Sequence, residues 1–223
     1  FKNNMSEKGE PIITKCKKSD NWTRITFKPD FEKFGMTELE DDSIALMSKR
    51  VYDSAGIIGK NTKIFLNGEQ IKVKSFSEYV DMYLQDTENA PKVYEAQGDR
   101  WQVCVTVSNT QQFQQCSFVN GICTMKGGTH VANIADGIAG ELLKKIQKKE
   151  KSCKNLKSFQ VKNHLWVFVN AQIENPAFDS QTKETLITKA SNFGSKFSVS
   201  DKLIKQLMAT PLVENIMSWA QFK

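Results

Sequence analysis

The alternation of hydrophobic and polar positions divides the chain into strand-like and helix-like segments. Residues 22–27 alternate and are rich in aromatic and β-branched side chains, which predicts a strand that Pro29 ends. Residues 37–40, Thr-Glu-Leu-Glu, form a capping box and predict the start of a helix. Gly56 stands where a left-handed C-cap is needed. The predicted apolar face of this helix consists of Ile44, Met47, Val51, Tyr52 and Ala55.

A short strand and a second helix are predicted next. Residues 63–66 favour a strand closed by Asn67 and Gly68, a pair that tolerates positive φ. Residues 75–78, Ser-Phe-Ser-Glu, are a second capping box and open a helix. Its apolar side consists of Phe76, Tyr79, Val80 and Tyr83. We place a domain boundary just before this helix, near residue 72, and we predict a polar loop over 85–98.

The second half of the chain predicts an α+β domain. Residues 101–107 alternate, which indicates a strand with one buried face, and residues 113–122 are expected to pair with it. Thr129 is expected to N-cap a long helix. The apolar stripe of this helix consists of Val131, Ile134, Ala135, Ile138, Leu142 and Ile146. A third strand over 165–173, a polar loop over 178–188 and two terminal helices, the second opened by Pro211, complete the prediction.

The positive charge of the chain is concentrated in one stretch. Residues 144–157 contain seven lysines and one acid, Glu150, and so carry the whole net charge of +6. The lysines are Lys144, Lys145, Lys148, Lys149, Lys151, Lys154 and Lys157. Such a concentration of charge favours contact with nucleic-acid phosphates; the alternative is a solubilising helix end whose cations complement the helix dipole.

Several classes of protein are disfavoured by composition. Five cysteines without a C-x-x-C pair argue against a disulfide framework and a zinc site, and we expect no metal-binding residues. No apolar stretch approaches the roughly 20 residues that span a bilayer, so no membrane partner is expected. The chain lacks an initiator Met, which suggests that it begins inside a longer protein. Gly127 and Gly128 before a helix could bind an anion, but they lack P-loop spacing and are interpreted as a structural turn.

Three stretches resemble the type IIA topoisomerase family, and its eukaryotic branch in particular. Residues 113–131 resemble the signature F-Q-Q-x-S-F-V-N-S-I-A-T-x-x-G-G-T-H-V, with Gly121 and Cys123 at positions where the family has Ser and Ala. Residues 159–163 and 173–184 resemble a second conserved region, which includes the family's Q-T-K loop. Residues 22–30 with 50–53 resemble the final strand and helix of the family's Bergerat-type (GHKL) ATPase domain.

The resemblance implies a fold in two parts. Residues 1–72 would be the C-terminal fragment of the GHKL ATPase α/β sandwich. Residues 73–223 would be a ribosomal-S5-domain-2-like transducer domain, with an uncommon left-handed βαβ crossover through the helix that starts near His130.

The resemblance also implies two sites. Gln181, Thr182 and Lys183 would reach the ATP pocket of the preceding domain, where Lys183 acts catalytically on the γ-phosphate and Gln181 adds a hydrogen bond. On spacing alone, Lys183 would be only a solvated lysine in a polar loop. The family places a DNA-contacting basic loop at the lysine-rich stretch, and DNA-binding Lys148, Lys149 and Lys151 match its position.

The function implied is that of part of an ATP-operated gate, which couples ATP binding and hydrolysis to passage of a DNA duplex and relaxation of supercoils. ATP and Mg²⁺ would bind mostly to upstream residues, the DNA-cleaving tyrosine would lie downstream, and this piece alone is expected to be inactive. The expected partners are double-stranded DNA, the preceding ATPase domain and a second copy of the enzyme, in the nucleus. Two alternatives are an S5-like nucleic-acid-binding module without a nucleotide role and a small-molecule kinase, whose glycine-serine-rich phosphate loop is not seen.

Overall fold

The computed structural model describes residues 1–17, 21–84 and 90–221. Six helices and nine strands occur in these residues. The helices are α1 (Asp41–Ile58), α2 (Phe76–Leu84), α3 (Thr129–Lys149), α4 (Ser158–Lys162), α5 (Asp201–Met208) and α6 (Pro211–Gln221). The strands are β1 (Phe65–Leu66), β2 (Glu69–Gln70), β3 (Lys92–Gln97), β4 (Trp101–Val107), β5 (Gln114–Val119), β6 (Ile122–Cys123), β7 (Gly127–Gly128), β8 (Leu165–Ala171) and β9 (Thr185–Leu186).

The chain divides into two compact units, residues 1–48 and 49–223. The first unit contains the start of α1 and one turn of 3-10 helix, Glu32–Phe34. The strand predicted over 22–27 is wrong, because these residues pair with no strand in the described part of the chain. Trp22, Ile25 and Phe27 are 69%, 84% and 71% exposed. A strand needs a hydrogen-bonding neighbour as well as a suitable sequence pattern.

The second unit is built on a five-stranded sheet with the order β3-β4-β8-β5-β6. The long strand β4 pairs antiparallel with β3 and β8, whereas β5 pairs parallel with β8. The predicted pairing of residues 113–122 with β4 is therefore wrong, since β8 lies between them. The connection from β5 to β8 passes through α3, as a parallel pair requires a long crossover. The left hand of that crossover stays a prediction.

Helices cover both faces of this sheet. The six predicted apolar residues of α3 are all buried, and they pack with α5, α6 and one face of β4 and β8. Phe76, Tyr79 and Val80 of α2 pack on the opposite face, against Cys104 and Phe118. Strand β4 is thus buried on both faces rather than on the one face that its alternation predicted, because α2 covers the other.

The ends of the two first helices show how local signals and packing compete. Helix α1 begins at Asp41, so Thr37 lies too far away to cap it and the predicted capping box is wrong; the acids in its first turn instead complement the helix dipole. Gly56 is not a C-cap but lies inside the helix, where a Cβ would approach Tyr79 to 2.5 Å. Gly59, with φ of +87°, follows the helix end.

The second capping box is confirmed. Glu78 N donates to Ser75 Oγ at 3.1 Å, and the Glu78 carboxylate accepts from Lys74 N at 3.0 Å, so its return bond is one residue earlier than expected. The predicted turn at Asn67 and Gly68 is confirmed, with both residues at positive φ. The strand before it is shorter than predicted, and β2, which was not predicted, pairs with it.

Two predicted loops contain regular structure. Residues 92–97 form β3, which pairs with β4 along its whole length, so the loop predicted over 85–98 is wrong in this part. Residues 85–89 lie outside the described residues. The predicted loop over 178–188 contains the short strand β9, which pairs parallel with β7.

Helix and sheet mix in one unit, as the predicted fold class requires. The division at residues 48 and 49 is one of compactness, and the domain boundary near residue 72 stays a prediction about the family's domains. Within residues 1–17, 21–84 and 90–221, no helix is both long and apolar enough to cross a membrane.

Candidate functional site

The predicted Gln-Thr-Lys segment lies on a tight turn between β8 and β9, which we call the QTK loop (residues 180–183). Lys183 N donates to Ser180 O at 3.1 Å, and the hydroxyls of Ser180 and Thr182 lie 2.8 Å apart. Lys183 has φ of +57°, a left-handed conformation that a non-glycine residue adopts at some energetic cost. Gln181 and Thr182 are exposed and Lys183 is half-buried. The turn therefore presents all three predicted residues together.

The QTK loop stands on a base that we call the loop root, residues 127–129 with residues 185–188. Gly127 and Gly128 pair with Thr185 and Leu186 as a short parallel ladder. A Cβ on Gly128 would lie 2.3 Å from the Leu186 carbonyl oxygen, so only glycine allows the two backbones to come this close. The two glycines thus have a structural role, as interpreted from the sequence. They also pair with the segment that follows the QTK loop.

Thr129 ties the same two segments together. The residue at the N-cap position of α3 is Gly128, and no side chain caps the helix there. The prediction that Thr129 is the cap is therefore wrong. Its hydroxyl instead donates to Thr188 O at 2.6 Å, because Thr188 lies close enough to compete for it.

The two arms of the loop are also bonded to each other. Asp179 N donates to Thr185 O at 3.2 Å, and Ile187 N donates to Ala177 O at 2.9 Å. A hydrogen bond from Thr185 is the main cause that lowers the pKa of the Asp179 carboxyl. The excursion from 177 to 188 is thus a closed hairpin-like structure rather than a free polar loop.

Charges at the loop are distributed unevenly. Lys126 Nζ lies 2.6 Å from Glu184 Oε2, and Lys126 N donates to Glu184 O at 3.0 Å. The hydrogen bond to Glu184 raises the pKa of Lys126. Lys183, the neighbour of Glu184, forms no ion pair with any residue in the described ranges. Its ammonium remains available to an anion from outside.

A series of buried polar side chains connects the residues next to the loop root to β5 through hydrogen bonds. His130 Nε2 lies 3.2 Å from Thr124 Oγ1, which lies 2.6 Å from Ser117 Oγ of β5. Gln115 Nε2 donates to Met125 O at 2.9 Å. Burial lowers the pKa of His130 from 6.5 to about 4, so the ring is neutral at physiological pH. The turn that precedes α3 is therefore fixed to the central sheet.

The predicted DNA-contacting lysines lie at the other end of α3. Lys148 and Lys149 occupy its last turn, Lys151 follows, and all three are exposed. Glu150, the acid among them, accepts a hydrogen bond from Ser152 N at 3.1 Å. None of the three lysines pairs with an acid in the described part of the chain, so their charges face solvent.

The structure separates the two predicted sites. Helix α3 has 21 residues and so is about 30 Å long at ~1.5 Å per residue. It begins next to the loop root and ends in the lysines. Sequence reasoning missed Lys126 and Glu184, since opposite charges beside two motifs gave no sign that the motifs are neighbours in space.

Comparison with known proteins identifies the family. A family model described as DNA gyrase B matches residues 75–223. The chain is 56% identical over 229 residues to DNA topoisomerase 2 of Arabidopsis thaliana, with 100% of this chain and 15% of that protein covered. It is 48% identical over 225 residues to DNA topoisomerase 2-alpha of Gallus gallus, with 99% and 14% covered. The chain thus spans only a small part of these relatives.

A solved structure agrees with the sequence comparison. The crystal structure of the ATPase region of Saccharomyces cerevisiae topoisomerase II superposes with a TM-score of 0.80 at 41% identity, covering 87% of this chain and 49% of that chain. Neither a small-molecule kinase nor a module without a nucleotide role is favoured by these similarities. The chain belongs to the DNA gyrase B family, and within it the chain is homologous to the ATPase region of eukaryotic DNA topoisomerase II.

Proposed function

We propose that this chain forms part of the ATP-operated gate of a type II DNA topoisomerase and transmits the nucleotide state to bound DNA. The observation that carries the proposal is the QTK loop, which stands on a tightly bonded root and whose Lys183 forms no ion pair with any described residue. A flexible lysine could find a phosphate only at an entropic cost, whereas a lysine on a fixed turn is already oriented.

Lys183 is proposed to bind the γ-phosphate of ATP held by the preceding ATPase domain, and so to act catalytically. A compact ammonium stabilises negative charge on phosphoryl oxygens, and the exposed Gln181 amide and Thr182 hydroxyl fit the same group as hydrogen-bond donors. ATP supplies a terminal phosphate that hydrolysis removes. Lys183 therefore ties the QTK loop to the nucleotide only while that phosphate is bound. The expectation of Mg²⁺ rests on the resemblance alone.

Residues 1–72 are proposed to complete the ATPase domain together with upstream sequence, and residues 73–223 to form the transducer. Support comes from the first compact unit, in which Trp22, Ile25 and Phe27 are largely exposed. Exposed apolar side chains this close together are typical of a surface that another part of the protein covers. The yeast ATPase region is about twice as long as the part that this chain matches, so it contains further residues that could form such a cover. The segment 22–27 would then find its strand neighbour in that domain.

The DNA-facing part of the proposal rests on the lysines at the end of α3. Lys148, Lys149 and Lys151 would contact phosphates of the trapped duplex without reading its sequence. A homodimer in the nucleus, in which ATP closes two such units around DNA, is the assembly that this mechanism requires. The relatives named above support this proposal through their similarity.

Replacement of Lys183 tests the proposal directly. In the longer protein, with the sequence that the relatives have on both sides, Lys183→Ala should lower ATP hydrolysis about a hundredfold. It should also weaken dimer closure driven by a non-hydrolysable ATP analogue. Lys189→Ala, which removes an exposed lysine nearby, is the matched control and should change neither quantity. Unchanged hydrolysis and closure in Lys183→Ala would contradict the proposal.

A further inference from the structure

The ion pair beside the QTK loop combines two charges that have no part in the function proposed above. Glu184 follows Lys183 directly, and its carboxylate lies 2.6 Å from Lys126 Nζ. Asp179, on the other arm of the loop, also acts on Lys126 through its charge. The base of the loop therefore carries two acids, and Lys126 from another segment faces them.

We propose that Lys126 is a positioning residue that keeps Glu184 occupied and thereby leaves the ammonium of Lys183 free for phosphate. This inference rests on the proposed role of Lys183. Glu184 is the next residue along the chain, with its Cα about 3.8 Å from that of Lys183, so an unpaired carboxylate there would be an anion that competes for the ammonium of Lys183. It would also repel an incoming phosphate, because like charges at short range disfavour each other.

The geometry makes Lys126 suited to this task. Its backbone is held, since Lys126 N donates to Glu184 O at 3.0 Å and the next two residues form the β7–β9 ladder. The Glu184 side chain is 24% exposed and that of Lys126 is 68% exposed. The acid is therefore fixed in the fold, and the long lysine side chain closes over it from solvent.

The pair is poorly explained as a device for stability. Ion pairs with a solvent-exposed partner contribute little to the free energy of unfolding, because water already solvates both charges. The backbone ladder and Thr129 hold the root whether or not the pair is present. A loss of function on removal of Lys126 would thus report the charge balance at Lys183 rather than a disrupted fold.

The test separates competition for Lys183 from simple anchoring. In the longer protein, Lys126→Ala should lower the kcat of ATP hydrolysis about tenfold, because Glu184 becomes free to hold Lys183. Lys126→Ala combined with Glu184→Gln should recover most of that loss, since a neutral amide no longer competes. If the pair were only an anchor, the double variant would stay as slow as Lys126→Ala, and this result would overturn the inference.

Two further variants complete the experiment. Lys162→Ala removes another ion pair in which one side chain is largely exposed, that of Lys162 Nζ with Asp136 Oδ1 at 2.7 Å, and should leave kcat within about twofold. A loss of kcat in Lys162→Ala as large as that in Lys126→Ala would also overturn the inference. In a Lys183→Ala background, removal of Lys126 should cause no further loss, as expected for residues that act through one another. A further, independent loss in that background would contradict it. No effect of Lys183→Ala itself would refute the proposed function, whereas an effect of Lys183→Ala without one of Lys126→Ala refutes only this inference.

Discussion

The QTK loop and the lysines at the end of α3 present positive charge in opposite ways. Lys183 is a single cation on a strained turn, and the turn is bonded to a root that reaches the central sheet. Lys148, Lys149 and Lys151 are exposed side chains on a helix end, with no ion pair among the described residues. If both sites bind as proposed, the first depends on where a charge is placed and the second on how many charges there are.

This difference follows from what each site is proposed to bind. A γ-phosphate occupies one position and leaves on hydrolysis, so a lysine that detects it must be held in register. A DNA backbone offers a row of equivalent phosphates, so several mobile lysines can exchange partners without loss of binding. Position should therefore matter in the first site and number in the second.

The largest effect is expected from Gly128→Ala. The new Cβ would lie 2.3 Å from the Leu186 carbonyl oxygen and 2.6 Å from its nitrogen, and the φ of +134° is unfavourable for alanine. The β7–β9 ladder must then separate, at a cost of roughly 3 kcal/mol in the free energy of unfolding. Thermal unfolding of the purified protein should show the loss, and ATP hydrolysis by the longer protein should fall with it.

Gly140→Ala is the matched control for this substitution. Gly140 lies on α3, and a Cβ there would meet nothing within 4 Å. Because alanine is the better helix former, this variant should be equally stable or more stable by about 1 kcal/mol. Similar behaviour of the two variants would contradict the special role of Gly128 in the loop root.

The second prediction concerns the pH dependence of the root. Burial lowers the pKa of His130 from 6.5 to about 4, so between these values the unfolded chain binds a proton that the folded chain excludes. The contribution of His130 to the free energy of unfolding is therefore present above pH 6.5. It is lost as pH falls, by about 2 kcal/mol at pH 5. His130→Asn should remove this share of the difference in unfolding free energy between pH 7.5 and pH 5. A variant that keeps the full difference would show that His130 is not its source.

The smallest and most graded effect is expected at the lysines. Each of Lys148→Gln, Lys149→Gln and Lys151→Gln should lower the slope of log DNA affinity against log salt by about 0.9, and the triple variant by about three times that. DNA-stimulated ATP hydrolysis should fall more than basal hydrolysis in the triple variant. The exposed helix lysines Lys202 and Lys205, replaced in the same way, serve as the control. Equal loss of stimulated and basal hydrolysis would count against a DNA role.

Periodicity predicted some buried faces of the fold but not that of α1, where Ile44 and Met47 are 47% and 45% exposed. The stripe of α3 and the start of α2 were correct because residues three and four apart on a helix share one surface, whatever lies opposite. Pairing partners were not predictable in this way. Nothing in the pattern of 113–122 shows that β8 inserts between it and β4, and nothing in 22–27 shows whether a neighbour strand is present.

The site was predicted in part. The three residues of the QTK loop came from resemblance, because a lysine in a polar loop has no distinguishing spacing of its own. The ladder at Gly128 and the pair between Lys126 and Glu184 join segments far apart in sequence, and each segment alone looked like an ordinary turn. Thr129 was misassigned for the same reason, since a hydroxyl that caps a helix is indistinguishable in sequence from one that bonds a distant carbonyl.

The central place of β8 also bears on how the protein is made. Strands β4 and β5 each form their longest pairing with β8, and they have no ladder with one another. During translation, the edge of each strand that pairs with β8 stays open until residues 165–171 have left the ribosome. The nascent chain would then close its sheet in one late step, and chaperones that shield open strand edges would have most to do in that interval.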